Sequence, residues 1–247
     1  MNIPVNCQTN SESEKFYQKT QKEFVQKHPL NVDMPYTIVS LGYDCSVRTI
    51  LTDWGLKPTK EMGELSYPFD LAFCPHEGML KVLQDNFKDF FNCLSFNQQT
   101  QLWENKHYGF FYNHDTDCAE NDRKKFVDRF QNRIHNLRKV MEENTPVIFV
   151  ATIDKASKKN LKRIYEIFNL LKNKRKDKIS YLVLWSPKRL FFHPKDVFPI
   201  HIQKPFPEYV WWRAEMRYSL GGAKFERKIA TKFYKIIQKL IKKGKLK

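Results

Sequence analysis

Between Pro146 and Trp185 the sequence reads as a strand, a helix and a second strand, and this order restricts the fold more than any other feature of the chain. Val147-Ile148-Phe149-Val150-Ala151 is a continuous apolar run, the pattern of a strand buried on both faces. From Ser157 to Lys172, Leu161, Ile164, Tyr165, Phe168 and Leu171 recur at helical spacing, and Ile179 to Trp185 returns to strand character. Such a unit lays its strands parallel in one sheet with a right-handed crossover. The expectation is an α/β fold: a short, mainly parallel sheet covered by helices in a Rossmann-like three-layer arrangement.

The remaining elements fit around that unit. Residues 1–33 are polar and are expected to form an N-terminal arm, with a short helix from Ser13 to Lys27 carrying Phe16, Tyr17 and Phe24. Residues 34–247 show no linker, repeat or low-complexity boundary and are expected to form a single domain, for which 41% hydrophobic and 15% aromatic content supplies a core. A strand from Thr37 to Leu41 leads into a helix from Ser46 to Trp54, stopped at Gly55. A helical insertion follows this first β-α unit, with residues 77–91 helical through Leu80, Val82, Leu83 and Phe87. Phe126, Phe130, Ile134, Leu137 and Met141 mark an amphipathic helix from Asp122 to Met141. A last strand is expected over Val197 to Ile202, and Gly221-Gly222 is expected to break the chain before a final helix over 223–243.

Charge and cysteine usage narrow the function. The net charge of +16 sits almost wholly in residues 155–178 (+8) and 224–247 (+9), so the rest of the chain is near neutral. Both segments are basic helices with an apolar stripe opposite the charge, which suits packing on a sheet as well as lying on a bilayer. No apolar run reaches about 18 residues and the first residues lack a signal-peptide pattern, so a soluble, cytoplasmic protein is expected. Cys7, Cys45, Cys74, Cys93 and Cys118 are odd in number with no CxxC pair, which argues for free thiols rather than disulfides. His114 and Cys118 have a ligand-like spacing but no third partner, so no metal and no cofactor is expected.

The chemistry concentrates at Ser40-Leu41-Gly42-Tyr43-Asp44-Cys45, where a strand passes through a glycine turn and places Cys45 at a helix start. Free N–H groups and the positive dipole end there favour a thiolate. A cysteine nucleophile needs a base, and His114 is the best offered. Asp70 and Asp115 compete as the carboxylate that orients the imidazole. Main-chain N–H groups of Gly42, Tyr43, Asp44 and Ser46 point to an oxyanion or, equally, a phosphate. Arg129 and Arg133, off the apolar stripe of their helix, are candidates for binding an anionic substrate. Read singly, each has a plain structural meaning: a core thiol, a surface histidine, a turn aspartate, a solvated helix face.

In order along the chain, Ser40-Leu41-Gly42-x-x-Cys45, Tyr67-Pro68-Phe69-Asp70, His114-Asp115, Phe126-x-x-Arg129-x-x-x-Arg133-Ile134 and Val147-Ile148-Phe149-Val150 resemble a bacterial family of papain-like cysteine peptidases. The resemblance covers roughly residues 36–185. It implies Cys45 as nucleophile, His114 as its partner, and Asp70 or Asp115 as the orienting residue. The family pattern has asparagine before the cysteine and tryptophan after Pro-Phe-Asp, where this chain has Asp44 and Leu71. A negative charge beside Cys45 raises its pKa. The papain-like label also implies an antiparallel sheet, against the parallel one that the periodicity predicts.

Three functions follow. The first is a cysteine-dependent hydrolase or acyltransferase. The second is a phosphate- or sugar-nucleotide-binding transferase using the strand-glycine-turn-helix, with lysines 158–178 or Arg129 and Arg133 attracting the anion. The third is a non-catalytic binder of nucleic acid or an anionic membrane through the basic helices.

Overall fold

The computed structural model describes residues 11–29, 34–153, 157–176 and 178–246. In chain order these form α1 (Ser11–Lys27), β1 (Thr37–Ser40), α2 (Ser46–Asp53), α3 (His76–Gln84), β2 (Leu94–Asn97), β3 (Leu102–Asn105), β4 (Phe110–Phe111), α4 (Arg123–Glu142), β5 (Val147–Thr152), α5 (Lys158–Lys174), β6 (Ser180–Ser186), β7 (Val197–His201), α6 (Ala214–Arg217) and α7 (Leu220–Lys242).

The main sheet has the order β1-β5-β6-β7, and all its neighbours are parallel. Alternation along the strands divides the core. Val39, Phe149 and Leu182 face a cluster built with α4, α5 and the insertion, whereas Ile38, Ile148, Val150 and Val183 face α1, α2 and α7. This is the expected three-layer α/β arrangement, and every residue of β6 is buried between the layers.

The insertion is not purely helical. After α3 it folds into a three-stranded antiparallel sheet, β2-β3-β4, extended by a bridge between Phe73 and Phe111. The cause is local: Leu94 to Asn105 turns back at Asn97, whose side chain accepts the N–H groups of Gln99 and Thr100. Phe96 then stacks edge-on against Trp103 across the pair.

The start of α7 also differs from expectation. α7 begins at Leu220, so Gly221 and Gly222 lie inside its first turn. Ser219 caps it by accepting the Gly222 N–H at 3.1 Å. A Cβ at 222 would sit 2.1 Å from the Arg217 carbonyl oxygen, so glycine is set by close backbone approach rather than by a break. The arm's helix, α1, packs on α7 with Tyr17 and Phe24 in the core. The arm's ends, residues 1–10 and 30–33, lie outside the described residues. The stripes of α5 (Ile164, Ile167, Phe168, Leu171) and α7 (Ile229, Ala230, Phe233, Ile237, Leu240) are buried, which turns their basic faces to solvent. Among the described residues no helix is long and apolar enough to cross a membrane.

Candidate functional site

β1 ends at Ser40 and the chain turns through Gly42 at φ +48°, where a Cβ would press to 3.1 Å from the Phe69 carbonyl oxygen. The turn leaves Cys45 at the N-cap of α2, with its carbonyl accepting the Thr49 N–H at 3.0 Å. The thiol is 5% exposed. Its partner is His114, whose Nε2 lies 2.9 Å from Cys45 Sγ. His114 sits in the turn after β4, so it is the antiparallel insertion, not the parallel sheet, that carries it to the end of β1.

Burial governs the protonation of this pair. It pushes the Cys45 thiol up to about 12, and Asp44 adds to the rise; the cysteine's own N–H and Arg217 act against it. The thiolate expected from the helix start is therefore not the resting form, because one helix terminus does not offset burial beside a carboxylate. Burial also lowers the His114 pKa, opposed by Asp115 and reinforced by Arg133 and Arg48. Both shifts favour the neutral forms of the pair, a thiol against an unprotonated imidazole.

Asp115 is buried and fully engaged. Arg133 donates to both its oxygens at 3.0 Å, and Arg129 donates to Oδ1 at 2.8 Å. Arg129 also holds Asp117 through two hydrogen bonds of 2.7 and 2.6 Å, and Lys125 pairs with the same carboxylate at 3.0 Å. These contacts hold Asp117 well below the usual carboxylate range. Arg129 and Arg133, the candidates for a substrate anion, tie the His114 loop to α4 through its two aspartates. Asp70 takes a different position. It accepts the Tyr67 N–H at 2.8 Å and lies 3.6 Å from Arg48 Nε, while its Oδ1 is buried without a hydrogen bond among the described residues. Neither aspartate shares a hydrogen bond with His114, whose single one among the described residues is to Cys45.

Of the four residues expected to donate to an anion, Gly42 and Ser46 have N–H groups engaged by neighbouring side chains. Gly42 donates to Ser40 Oγ at 3.4 Å, and Ser46 donates to Asp44 Oδ1 at 2.8 Å. Asp44 also accepts from the Ser46 hydroxyl and, at 3.2 Å, from Trp211 Nε1. Its carboxylate takes the place of an anion at the start of α2, which weighs against a phosphate there. The main-chain N–H groups of Asp44 and Cys45 carry no main-chain hydrogen bond among the described residues.

Several neighbours escaped the sequence reading. Arg48 stands one helical turn beyond Cys45, between Asp70 and the field of His114; the i, i+3 spacing was its available signal. Trp211 and Arg217 reach the site from the aromatic stretch before α7, and Arg217 acts on the Cys45 charge. His76, buried with its ring 5.9 Å from that of Tyr43, is lowered to about 4 by burial. Nothing in its sequence context marked it. Among the described residues no group of three or more histidine, cysteine or acidic side chains is placed to hold a metal ion.

A family model described as "Putative papain-like cysteine peptidase (DUF1796)" matches residues 36–184, which contain Cys45, His114, Asp70, Asp115 and both arginines of α4. No curated protein and no solved structure matches the chain.

Proposed function

The chain belongs to this family of papain-like cysteine peptidases, and from that premise we propose that it is a cysteine-dependent acyl-transfer enzyme, a hydrolase or acyltransferase, with Cys45 as nucleophile and His114 as base. The observation that carries the reading is the 2.9 Å approach of His114 Nε2 to Cys45 Sγ, within reach for direct proton transfer.

The protonation states favour a general-base route over a preformed ion pair. The thiol proton passes to His114 Nε2 as Sγ bonds to the acyl carbon; the bond to the leaving group breaks, and the imidazolium returns the proton to that group. Water, deprotonated by the same imidazole, then releases the acid and the free thiol; an acceptor amine or alcohol in its place makes the step a transfer. The N–H groups of Asp44 and Cys45 are the donors offered to the oxyanion. Asp115 is a positioning residue, holding the His114 loop to α4 through Arg129 and Arg133.

Replacing Cys45 by serine is expected to abolish labelling by a thiol-directed activity probe. Equal labelling of the wild type and the variant sinks the proposal. The sign of the pH dependence is also fixed: His114 works unprotonated and its pKa lies below the ordinary 6.5, so kcat/KM falls only on the acid side of that value. Alkylation of Cys45 rises through pH 8 and 9 without a plateau, as for a thiol held well above its usual pKa.

A further inference from the structure

Beside the Cys45 turn, at the C-terminal ends of the strands of the main sheet, lies a cavity of about 400 Å³. Cys45 stands between two residues of its wall, Asp44 and Ser46. Strand ends of an open parallel sheet are where such folds take ligands, and this volume falls at the low end for small-molecule pockets. It holds a group the size of one large residue, not an extended peptide.

The wall states the chemistry of the guest. Trp185, Trp211, Tyr209, Phe73, Phe225 and Tyr43 give it an aromatic lining. Two of these carry buried polar atoms with no hydrogen-bond partner among the described residues, Trp185 Nε1 and Tyr209 Oη, in side chains only 4% and 2% exposed. Buried donors left unpaired are costly, and a bound acceptor relieves them. The cavity's cation is Lys204, which makes no ion pair among the described residues. Its carboxylate is that of Asp44, already held by Ser46 and Trp211. An aromatic body, unpaired donors and an unengaged ammonium fit a flat apolar group that ends in an anionic acceptor.

We propose that this cavity receives an aromatic amino-acid residue bearing a free carboxylate, the leaving group of an N-acyl aromatic amino acid or of a peptide ending in one. The ring lies against the aromatic wall and the carboxylate faces Lys204. The assignment rests on Cys45 acting as the nucleophile only for the turnover part; binding stands apart from it.

The test therefore separates the two, using Cys45→Ala for binding and the wild type for turnover. Three tryptophans, Trp185, Trp211 and Trp212, line the cavity and report occupancy by fluorescence. N-acetyl-phenylalanine is expected to bind saturably, at least tenfold tighter than N-acetyl-alanine and severalfold tighter than N-acetyl-phenylalaninamide. Lys204→Ala, a change at an exposed side chain, is expected to erase the preference for the free acid while keeping the preference for phenylalanine. Val210→Trp, which fills the cavity from the half-buried Val210, is expected to abolish binding, with the thermal melt checking that it folds. Binding of this pattern without turnover of N-acyl-phenylalanine by the wild type upholds the binding assignment and overturns the leaving-group role, while the Cys45 reading stands or falls on the thiol-probe labelling. Turnover of acyl substrates with no aromatic preference and no saturable binding overturns the cavity assignment and leaves Cys45 standing.

Discussion

Asp115 and Glu226 are both buried carboxylates held by arginine, and they do opposite kinds of work. Asp115 lies next to the histidine in sequence, and its partners, Arg129 and Arg133, come from one helix within 18 residues. It fastens a loop. Glu226 of α7 accepts from Tyr17 of α1, Trp54 Nε1 at 2.8 Å and Arg217 Nε at 2.8 Å, and Arg217 also pairs with Asp53. It fastens three helices on one face of the sheet, including the one that begins at Cys45. The first cluster therefore governs where the imidazole stands, and the second governs whether that face of the fold holds together.

This contrast predicts its largest effect at Glu226. Glu226→Ala leaves the buried Arg217 with Asp53 as its one carboxylate among the described residues and strips Tyr17 and Trp54 of their acceptor. Removing one partner of a buried ion pair costs about 3–5 kcal/mol. Denaturant unfolding is expected to show that loss, and an unchanged midpoint breaks the comparison.

Asp115→Asn is expected to act on catalysis first. The neutral amide cannot hold two guanidinium groups as the carboxylate does, and the His114 turn loosens. A displacement on the order of 1 Å lowers rate by about 100-fold. The readout is kcat/KM on a thioester or amide substrate, with thiol alkylation showing that Cys45 remains in place. A variant with full activity shows that the loop needs no clamp.

These two clusters also mark what the sequence discloses. The parallel sheet follows from Val147–Ala151, the helical spacing behind it and Ile179–Trp185, because burial on both faces leaves its imprint on consecutive residues. Cys45 and His114 were identifiable by residue type and by their order with Pro68-Phe69-Asp70 and the arginines. What Asp115 binds was not, since hydrogen bonds across 14 and 18 residues depend on how a loop meets a helix. The Glu226 cluster lay further out of reach, joining residues 172 and 209 positions apart. The antiparallel sheet was hidden for another reason: its strands are four, four and two residues long, too short for alternation to stand out from an aromatic-rich run.

Asp44 sharpens the comparison at smaller scale, because its charge acts on the thiol directly instead of through position. Asp44→Asn removes the charge and keeps an acceptor for Trp211. With the adjacent charge gone, the Cys45 pKa falls, and each unit multiplies the thiolate fraction by ten. Iodoacetamide is expected to alkylate Cys45 about tenfold faster at pH 8. No change assigns the raised pKa to burial alone.

The smallest effect belongs to Arg129. It shares Asp115 with Arg133, but its side chain is 28% exposed against 10%, and Asp117 takes part of its hydrogen bonding. Arg133 binds both Asp115 oxygens and stacks its guanidinium 4.5 Å from the Phe130 ring, so it keeps the carboxylate paired when Arg129 is removed. Exposed ion pairs contribute up to about 1 kcal/mol. Arg129→Ala is therefore expected to lower kcat/KM by about threefold and to leave the unfolding midpoint nearly unchanged. Arg133→Ala, which leaves Asp115 inside the protein with the Arg129 contact to one oxygen alone, is expected to match the loss of Asp115→Asn. Equal losses for the two arginines make the clamp a joint one, with Asp117 as necessary to the His114 loop as Asp115.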